Sequence, residues 1–212
     1  MSLTVGIVDD HKIVRAGFQE MLSGNDDIRI VFEAGDGDEA IDRLRDTGCD
    51  ILLLDISLPG KSGVDVLKIV RERFSKTRVL VLSGFPEDRY ALSMIRNGAN
   101  GYLCKDCQTD ELVSAIRQVA RGKRYVSART VELLTDEVTG ESTRNLHDTL
   151  SEREFQVFLR LAEGASVSEI ADDLHLSVKT VSTYRSRLLD KMNVASNAEL
   201  ASYAVRNGLV HE

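Results

Sequence analysis

The chain has 212 residues, a formal net charge of −7, 42% hydrophobic residues and 29% charged residues. This balance excludes a disordered or fibrous chain, and no apolar run approaches the roughly 20 residues that a helical membrane span needs. The three cysteines, Cys49, Cys104 and Cys107, are too few and odd in number for a disulfide framework.

In chain order, the opening Met-Ser-Leu-Thr-Val-Gly has no basic stretch ahead of an apolar one. A secretory leader is therefore not expected, and the cytoplasm is the default location. Short apolar runs read as strands at Leu3–Val8, Ile28–Phe32, Ile51–Leu54, Val79–Leu82 and Gly101–Cys104. Between them lie helical periods: Ile13, Val14, Gly17, Phe18, Met21 and Leu22 share one face, as do Leu112, Val113, Ile116, Val119 and Ala120. Ile51–Leu54 and Val79–Leu82 do not alternate with polar residues, as expected of parallel strands covered on both faces. Five strand–helix units with right-handed crossovers predict an α/β doubly wound, five-stranded parallel sheet of order 2-1-3-4-5 over residues 1–121.

Residues 122–147 lose this pattern and read as a linker, with a short helix around Thr130–Glu137. Residues 148–212 hold only helical signals and predict a small all-α four-helix domain. Ser151, Ser166 and Ser196 each stand three residues before a glutamate, the spacing of a capping box. Ser177 opens a further helix, whose Val181, Tyr184, Leu188 and Met192 form an apolar stripe. Together with the helix before it, this makes a helix-turn-helix arrangement.

The strand ends carry the chemistry. In an open α/β sheet, ligands bind beyond the carboxyl ends of the strands. Here the first strand runs into Asp9 and Asp10, the third into Asp55, the fourth into Ser83, and the fifth ends just before Lys105. Three carboxylates in one place repel one another, and one lysine offsets only part of that charge. A divalent cation with oxygen ligands relieves it, and magnesium is the ion expected. A carboxylate at such a site can attack a phosphoryl group. Asp55 is the expected acceptor because it alone ends a fully apolar central strand, with the turn Leu58-Pro-Gly-Lys-Ser-Gly63 beside it.

The last domain carries a different signal. Residues 177–191 hold Lys179, Arg185, Arg187 and Lys191 against Asp190 alone, a basic stripe on an acidic chain. Lys179, Ser182, Thr183 and Ser186 share the face opposite the apolar stripe. Small polar side chains let a helix sit deep in a major groove, and the flanking cations meet phosphates.

Asp9-Asp10, Asp55-x-x-x-Pro59-Gly60, Ser83 and Gly101-Tyr102-Leu-x-Lys105 resemble the receiver domain of two-component response regulators. The resemblance implies that Asp55 takes phosphate from a sensor histidine kinase. It implies that Asp10, Asp55 and the backbone carbonyl of Ser57 hold Mg2+, with Asp9 helping through water. Lys105 would then contact the phosphoryl group, Ser83 would be the switch hydroxyl, and Tyr102 the aromatic that turns inward. The switching face is expected near Pro86–Asn97 and Cys107–Arg121.

Leu150-Ser-x-Arg-Glu154, Gly164, Glu169-Ile-Ala171, Leu176-Ser177, Thr180-Val181 and Lys191-Met-x-Val194 resemble the LuxR-type output domain. Together the two halves resemble the NarL/FixJ family of transcription regulators, and the run from Lys179 to Arg187 is similar to its GacA/UvrY branch. The resemblance implies DNA contacts by Lys179, Thr180, Ser182, Thr183, Ser186, Arg187 and Lys191, with Arg185 reaching phosphate. It also implies homodimerisation through Asn197–Arg206 on activation and promoter DNA with inverted half-sites. No catalytic residues are expected.

Two other readings stand beside this one. A magnesium-dependent Asp-nucleophile phosphohydrolase usually carries a second aspartate two residues after the first, where this chain has Ser57. In the other, the output helices bind protein instead of DNA. Cys104-Lys-Asp-Cys107 is a C-x-x-C without a second pair, and a strand-to-helix crossing there is expected to point its thiols apart.

Overall fold

The computed structural model describes residues 2–84, 87–127, 130–132 and 146–210, with the backbone alone at 87–90, 148 and 152. Contacts divide the chain into two compact units, residues 1–142 and 143–212.

The first unit alternates β1 (Leu3–Val8), α1 (Lys12–Ser23), β2 (Ile28–Ala34), α2 (Gly37–Asp46) and β3 (Ile51–Asp55). It continues with α3 (Gly63–Arg73), β4 (Arg78–Ser83), α4 (Glu87–Arg96), β5 (Gly101–Cys104) and α5 (Thr109–Ala120). The strands form one parallel sheet of order β2-β1-β3-β4-β5, the order read from the sequence. β2 runs two residues past its expected end because its pairing with β1 continues to Val8 opposite Ala34.

Every residue of β3 is buried, which explains its unbroken apolar run. Alternation splits the strands between two layers. Val5, Ile7, Ile51, Leu53, Leu80 and Leu82 pack with Phe18 and Leu22 of α1 and Leu112, Ile116 and Val119 of α5. Their neighbours Leu52, Leu54, Val79 and Val81 face the other way and are equally buried. Each such side chain contributes about 1.5–3 kcal/mol of transfer free energy. This two-sided burial fixes the strand ends, and therefore the polar residues that follow them.

Residues 122–127 turn back along the sheet. Tyr125 forms a bridge with Gly101: its N–H donates to the Asn100 carbonyl at 2.9 Å and its carbonyl accepts from Tyr102 N–H at 3.2 Å. Thr130, Val131 and Glu132 are helical. The rest of the short helix read at 130–137, and residue 86 of the expected switching face, lie outside the described residues.

The second unit begins with a 3-10 turn, Leu146–Thr149, followed by α6 (Glu152–Ala162), α7 (Val167–Asp173), α8 (Val178–Met192) and α9 (Asn197–Arg206). Phe155, Phe158, Leu161, Ile170, Val181, Leu188, Met192, Leu200 and Ala204 are its buried core. The caps at Ser151 and Ser166 are complete capping boxes. At Ser196 only half of the box forms. Its side chain accepts from Glu199 N–H at 3.3 Å, but the Glu199 carboxylate accepts from Ala195 N–H at 3.1 Å. Ser196 has φ −150°, against −65° and −74° at the other two caps, and this turns its own N–H aside.

Among the described residues no helix is long and apolar enough to cross a membrane.

Candidate functional site

Four strand ends of the first unit converge on one pocket. Lys105, one residue past β5, places its Nζ 2.6 Å from Asp9 Oδ2 and 2.9 Å from Asp55 Oδ2. Asp9 is 2% exposed and Asp55 1%. His11 closes the rim: its N–H donates to Asp9 Oδ1 at 2.8 Å, and its Nδ1 lies 2.6 Å from Asp10 Oδ1. Lys105 N–H donates to the Ser83 carbonyl at 2.9 Å, which ties the ends of β4 and β5 together. Ser83 and Tyr102 are both fully buried, and Ser57 is half-buried in the loop after β3.

The electrostatics follow from the burial. Desolvation pushes the Asp55 carboxyl above the usual carboxylate range. The Lys105 ammonium opposes that shift, and the neighbouring Asp9 charge adds to it. Burial pulls the Lys105 pKa down, but Asp55 and Asp9 outweigh it and hold the lysine above its ordinary value. Asp55 Oδ1 is buried without a well-formed hydrogen bond, and Asp10 Oδ1 meets only the His11 ring. Asp9, Asp10 and His11 each bring a ligand atom within 4.8 Å of the others. Buried carboxylate oxygens with unfilled lone pairs are the donor set of a hard divalent cation.

The second unit presents a different surface. The turn between α7 and α8 is held by Leu176 N–H donating to the Ala171 carbonyl at 2.8 Å, with His175 at φ 51°. On α8, Val181, Leu188 and Met192 are buried, while Lys179, Ser182, Thr183, Ser186 and Arg187 are exposed. Lys179, Thr180, Thr183, Tyr184 and Arg187 line a shallow hollow of about 260 Å³. Thr183 and Ser186 donate their hydroxyls to the carbonyls of Lys179 (2.9 Å) and Ser182 (3.1 Å), so their lone pairs face outward.

Two residues expected on this face have partners inside their own unit. Arg185 Nε donates to Asn197 Oδ1 at 2.8 Å, joining α8 to the start of α9. Lys191 Nζ lies 2.6 Å from Glu154 Oε2, joining the end of α8 to the start of α6. Burial works to raise the Glu154 pKa, but hydrogen bonds from Lys191 and Ser151 hold it below the usual value.

The sequence matches known families in both halves. Residues 5–117 match the response regulator receiver domain, and residues 148–204 match the bacterial regulatory proteins of the luxR family. The chain belongs to the NarL/FixJ family of response regulators.

The response regulator UvrY of Escherichia coli (strain K12) is 35% identical, over 98% of this chain and 95% of its own. The oxygen regulatory protein NreC of Staphylococcus carnosus is 34% identical, over 98% and 99%. Among solved structures, RcsB from Salmonella enterica serovar Typhimurium, bound to the promoter P1flhDC in the presence of phosphomimetic BeF3−, is 25% identical. It aligns at a TM-score of 0.67, covering 96% of this chain and 98% of that one. This regulator is thus a two-component response regulator with a LuxR-type DNA-binding domain.

Sequence reading missed several residues that position the regulator's pocket. Arg15 donates to the Asp9 carbonyl at 2.6 Å and to Glu33 Oε2 at 3.0 Å, clamping the end of β1 to β2. A Cβ on Gly63 would stand 2.1 Å from the Asp55 carbonyl oxygen, so only glycine lets α3 start against the end of β3. An Arg–Glu pair 18 residues apart leaves no local pattern. Gly63 was visible only as part of a turn.

Proposed function

We propose that Asp55 accepts a phosphoryl group from a sensor histidine kinase, and that the aspartyl phosphate promotes dimerisation and sequence-specific binding of promoter DNA. The observation that carries this reading is the Lys105 ammonium set between the two buried carboxylates of Asp9 and Asp55. Lys105 holds Asp55 Oδ2, which leaves Oδ1 as the attacking oxygen. Lys105 then stands beside the new phosphoryl oxygens as a fixed counter-charge.

Mg2+ fits the oxygen donors; Asp10, Asp55 and the Ser57 carbonyl would hold it, with Asp9 helping. When bound, it neutralises carboxylate and phosphoryl charge. Phosphorylation adds nearly two negative charges beside Ser83 and Lys105. The Ser83 hydroxyl gains an acceptor, Tyr102 follows it inward, and the equilibrium between two states of the β4–β5 face shifts. The chain takes the phosphate once and signals, and it does not act as an enzyme on outside substrates.

The division of labour places the receiver at 1–121, the join at 122–147 and the DNA reader at 148–212. On α8, Ser182, Thr183 and Ser186 meet base edges, while Lys179, Arg187 and the flanking Thr180 hold the backbone. Arg185 and Lys191 reach phosphates only with the donors left over from Asn197 and Glu154. Two copies joined through α9 read inverted half-sites, as two-fold symmetric binders do; that RcsB is bound to promoter DNA in the presence of phosphomimetic BeF3− supports promoter DNA as the target. The cytoplasm, where kinase and promoter are both available, is the location this reading requires.

The test treats wild type and Asp55→Asn with a small phosphodonor and Mg2+, then measures protein mass and promoter affinity. Wild type gains the phosphoryl mass and binds more tightly, while Asp55→Asn does neither. Equal promoter binding by both proteins, with and without donor, sinks the reading.

A further inference from the structure

We propose that His11 makes the acidic pocket a site for a borderline divalent transition cation, of the class of Co2+ or Zn2+, held by the His11 imidazole together with the carboxylates of Asp10 and Asp9. This cation competes there with Mg2+. The competition rests on the function proposed above, but the bond from nitrogen to metal does not.

His11 stands directly before α1 in extended backbone, with φ −87° and ψ 108°, and its side chain makes no bond to the first turn of that helix. The ring turns to the acid pair instead. Its Nδ1 lies 2.6 Å from Asp10 Oδ1 and 3.4 Å from Asp9 Oδ1. Asp10 Oδ1 is buried, and beyond that ring it has no hydrogen-bond partner among the described residues. The His11 side chain is 66% exposed, so an ion reaches it directly from solvent.

These separations are those of donor atoms around one ion. A transition cation binds imidazole nitrogen and carboxylate oxygen at about 2.0–2.2 Å, so two such donors stand about 3.0 Å apart at a right angle and about 3.4 Å apart at a tetrahedral one. Only the shorter of the two observed gaps has to open, and only slightly. The oxygens are already held in place. His11 N–H donates to Asp9 Oδ1 at 2.8 Å, Arg15 donates to the Asp9 carbonyl at 2.6 Å, and Lys105 fixes Asp9 Oδ2 at 2.6 Å.

The ring decides which ion is favoured. Mg2+ takes oxygen ligands and water, so it gains nothing from imidazole and has to draw Asp10 away from His11. A borderline cation keeps both groups, because imidazole nitrogen suits it as well as carboxylate oxygen. Nδ1 gives the ion its lone pair, and a proton carried there passes to solvent. One contact therefore works against Mg2+ and in favour of its rival.

The experiment titrates the full-length, chelator-treated protein with CoCl2 and with MgCl2 by calorimetry, and follows the visible absorption of bound Co2+. Wild type is compared with His11→Ala and His11→Gln; glutamine keeps an N–H for Asp10 but offers no imidazole. Wild type should take one Co2+ per chain with the absorption of a nitrogen-ligated ion, and excess Mg2+ should remove that band. In both variants Co2+ should bind at least about tenfold more weakly, while Mg2+ affinity moves by less than about threefold. No Co2+ uptake by wild type, or a band that persists in both variants, overturns the site. Affinity for both ions falling together in the variants makes His11 a prop for Asp10 and overturns the ligand role. Bound Co2+ that excess Mg2+ leaves in place overturns the competition. If wild type with Mg2+ takes no phosphoryl group from a small donor, the function reading fails, while the Co2+ spectrum still scores the nitrogen bond.

Discussion

Lys105 and Lys179 both stand on the working face of their unit, and they stand in opposite surroundings. The Lys105 side chain is 19% exposed and touches two carboxylates that water barely reaches. Lys179 is exposed on the outer face of α8, among hydroxyls that bond back to their own helix. The same unit charge at the same distance interacts about four times more strongly at an effective dielectric of 20 than in bulk water. The receiver therefore stores its chemistry in a few strongly coupled groups. The output helix spreads its chemistry over many weak ones that gain value only when a partner excludes water.

The sharpest way to break this contrast is Lys105→Met. It leaves Asp9 and Asp55 buried without their counter-ion, a loss that in dry sites costs about 3–5 kcal/mol; with Lys105 partly solvated, we expect about 2–3 kcal/mol. Urea unfolding of the full chain in chelator measures it, and Mg2+ should recover more stability in the variant than in wild type. No change would mean that the pocket is wet.

Gly63→Ala comes next. Its methyl group meets the Asp55 carbonyl, and overpacking of this kind costs about 1–3 kcal/mol. The expected outcome is a lowered unfolding midpoint together with slower phosphoryl uptake.

On the output face the effects should be smaller and separable. Lys179→Ala should weaken binding to all sequences alike and lower the salt slope by about 1, whereas Thr183→Ala should relax preference at one base position. Fluorescence titration against an operator and its single-base variants distinguishes the two.

Smallest is the Glu154–Lys191 strap. The folded pKa of Glu154 is depressed, so its contribution is present above the unfolded value near 4.3 and is lost as pH falls through the lower folded value. Glu154→Gln should lower the thermal midpoint of the output unit at pH 7 by the equivalent of about 1 kcal/mol, with the gap closing toward pH 3.

The legibility of the molecule divides along a similar line. Strand order and the pocket acids could be read because parallel strands write their burial as apolar runs, and the residue after each run sits at the functional edge. Three of the four output helices could be placed from serine–glutamate spacing, a signal confined to four residues. What could not be read lies in long-range pairs. Arg15 reaches Glu33, Arg185 reaches Asn197 and Lys191 reaches Glu154 only after the chain has folded. The half-formed cap at Ser196 depends on one backbone angle that composition does not encode.

The bridge between Tyr125 and β5 has a mechanical consequence. The main chain that leaves the receiver is stitched on both sides of Gly101, through Asn100 and through Tyr102. A displacement of the aromatic strand is therefore handed to the departing backbone as a pull on its first residues, with no side chain needed as messenger.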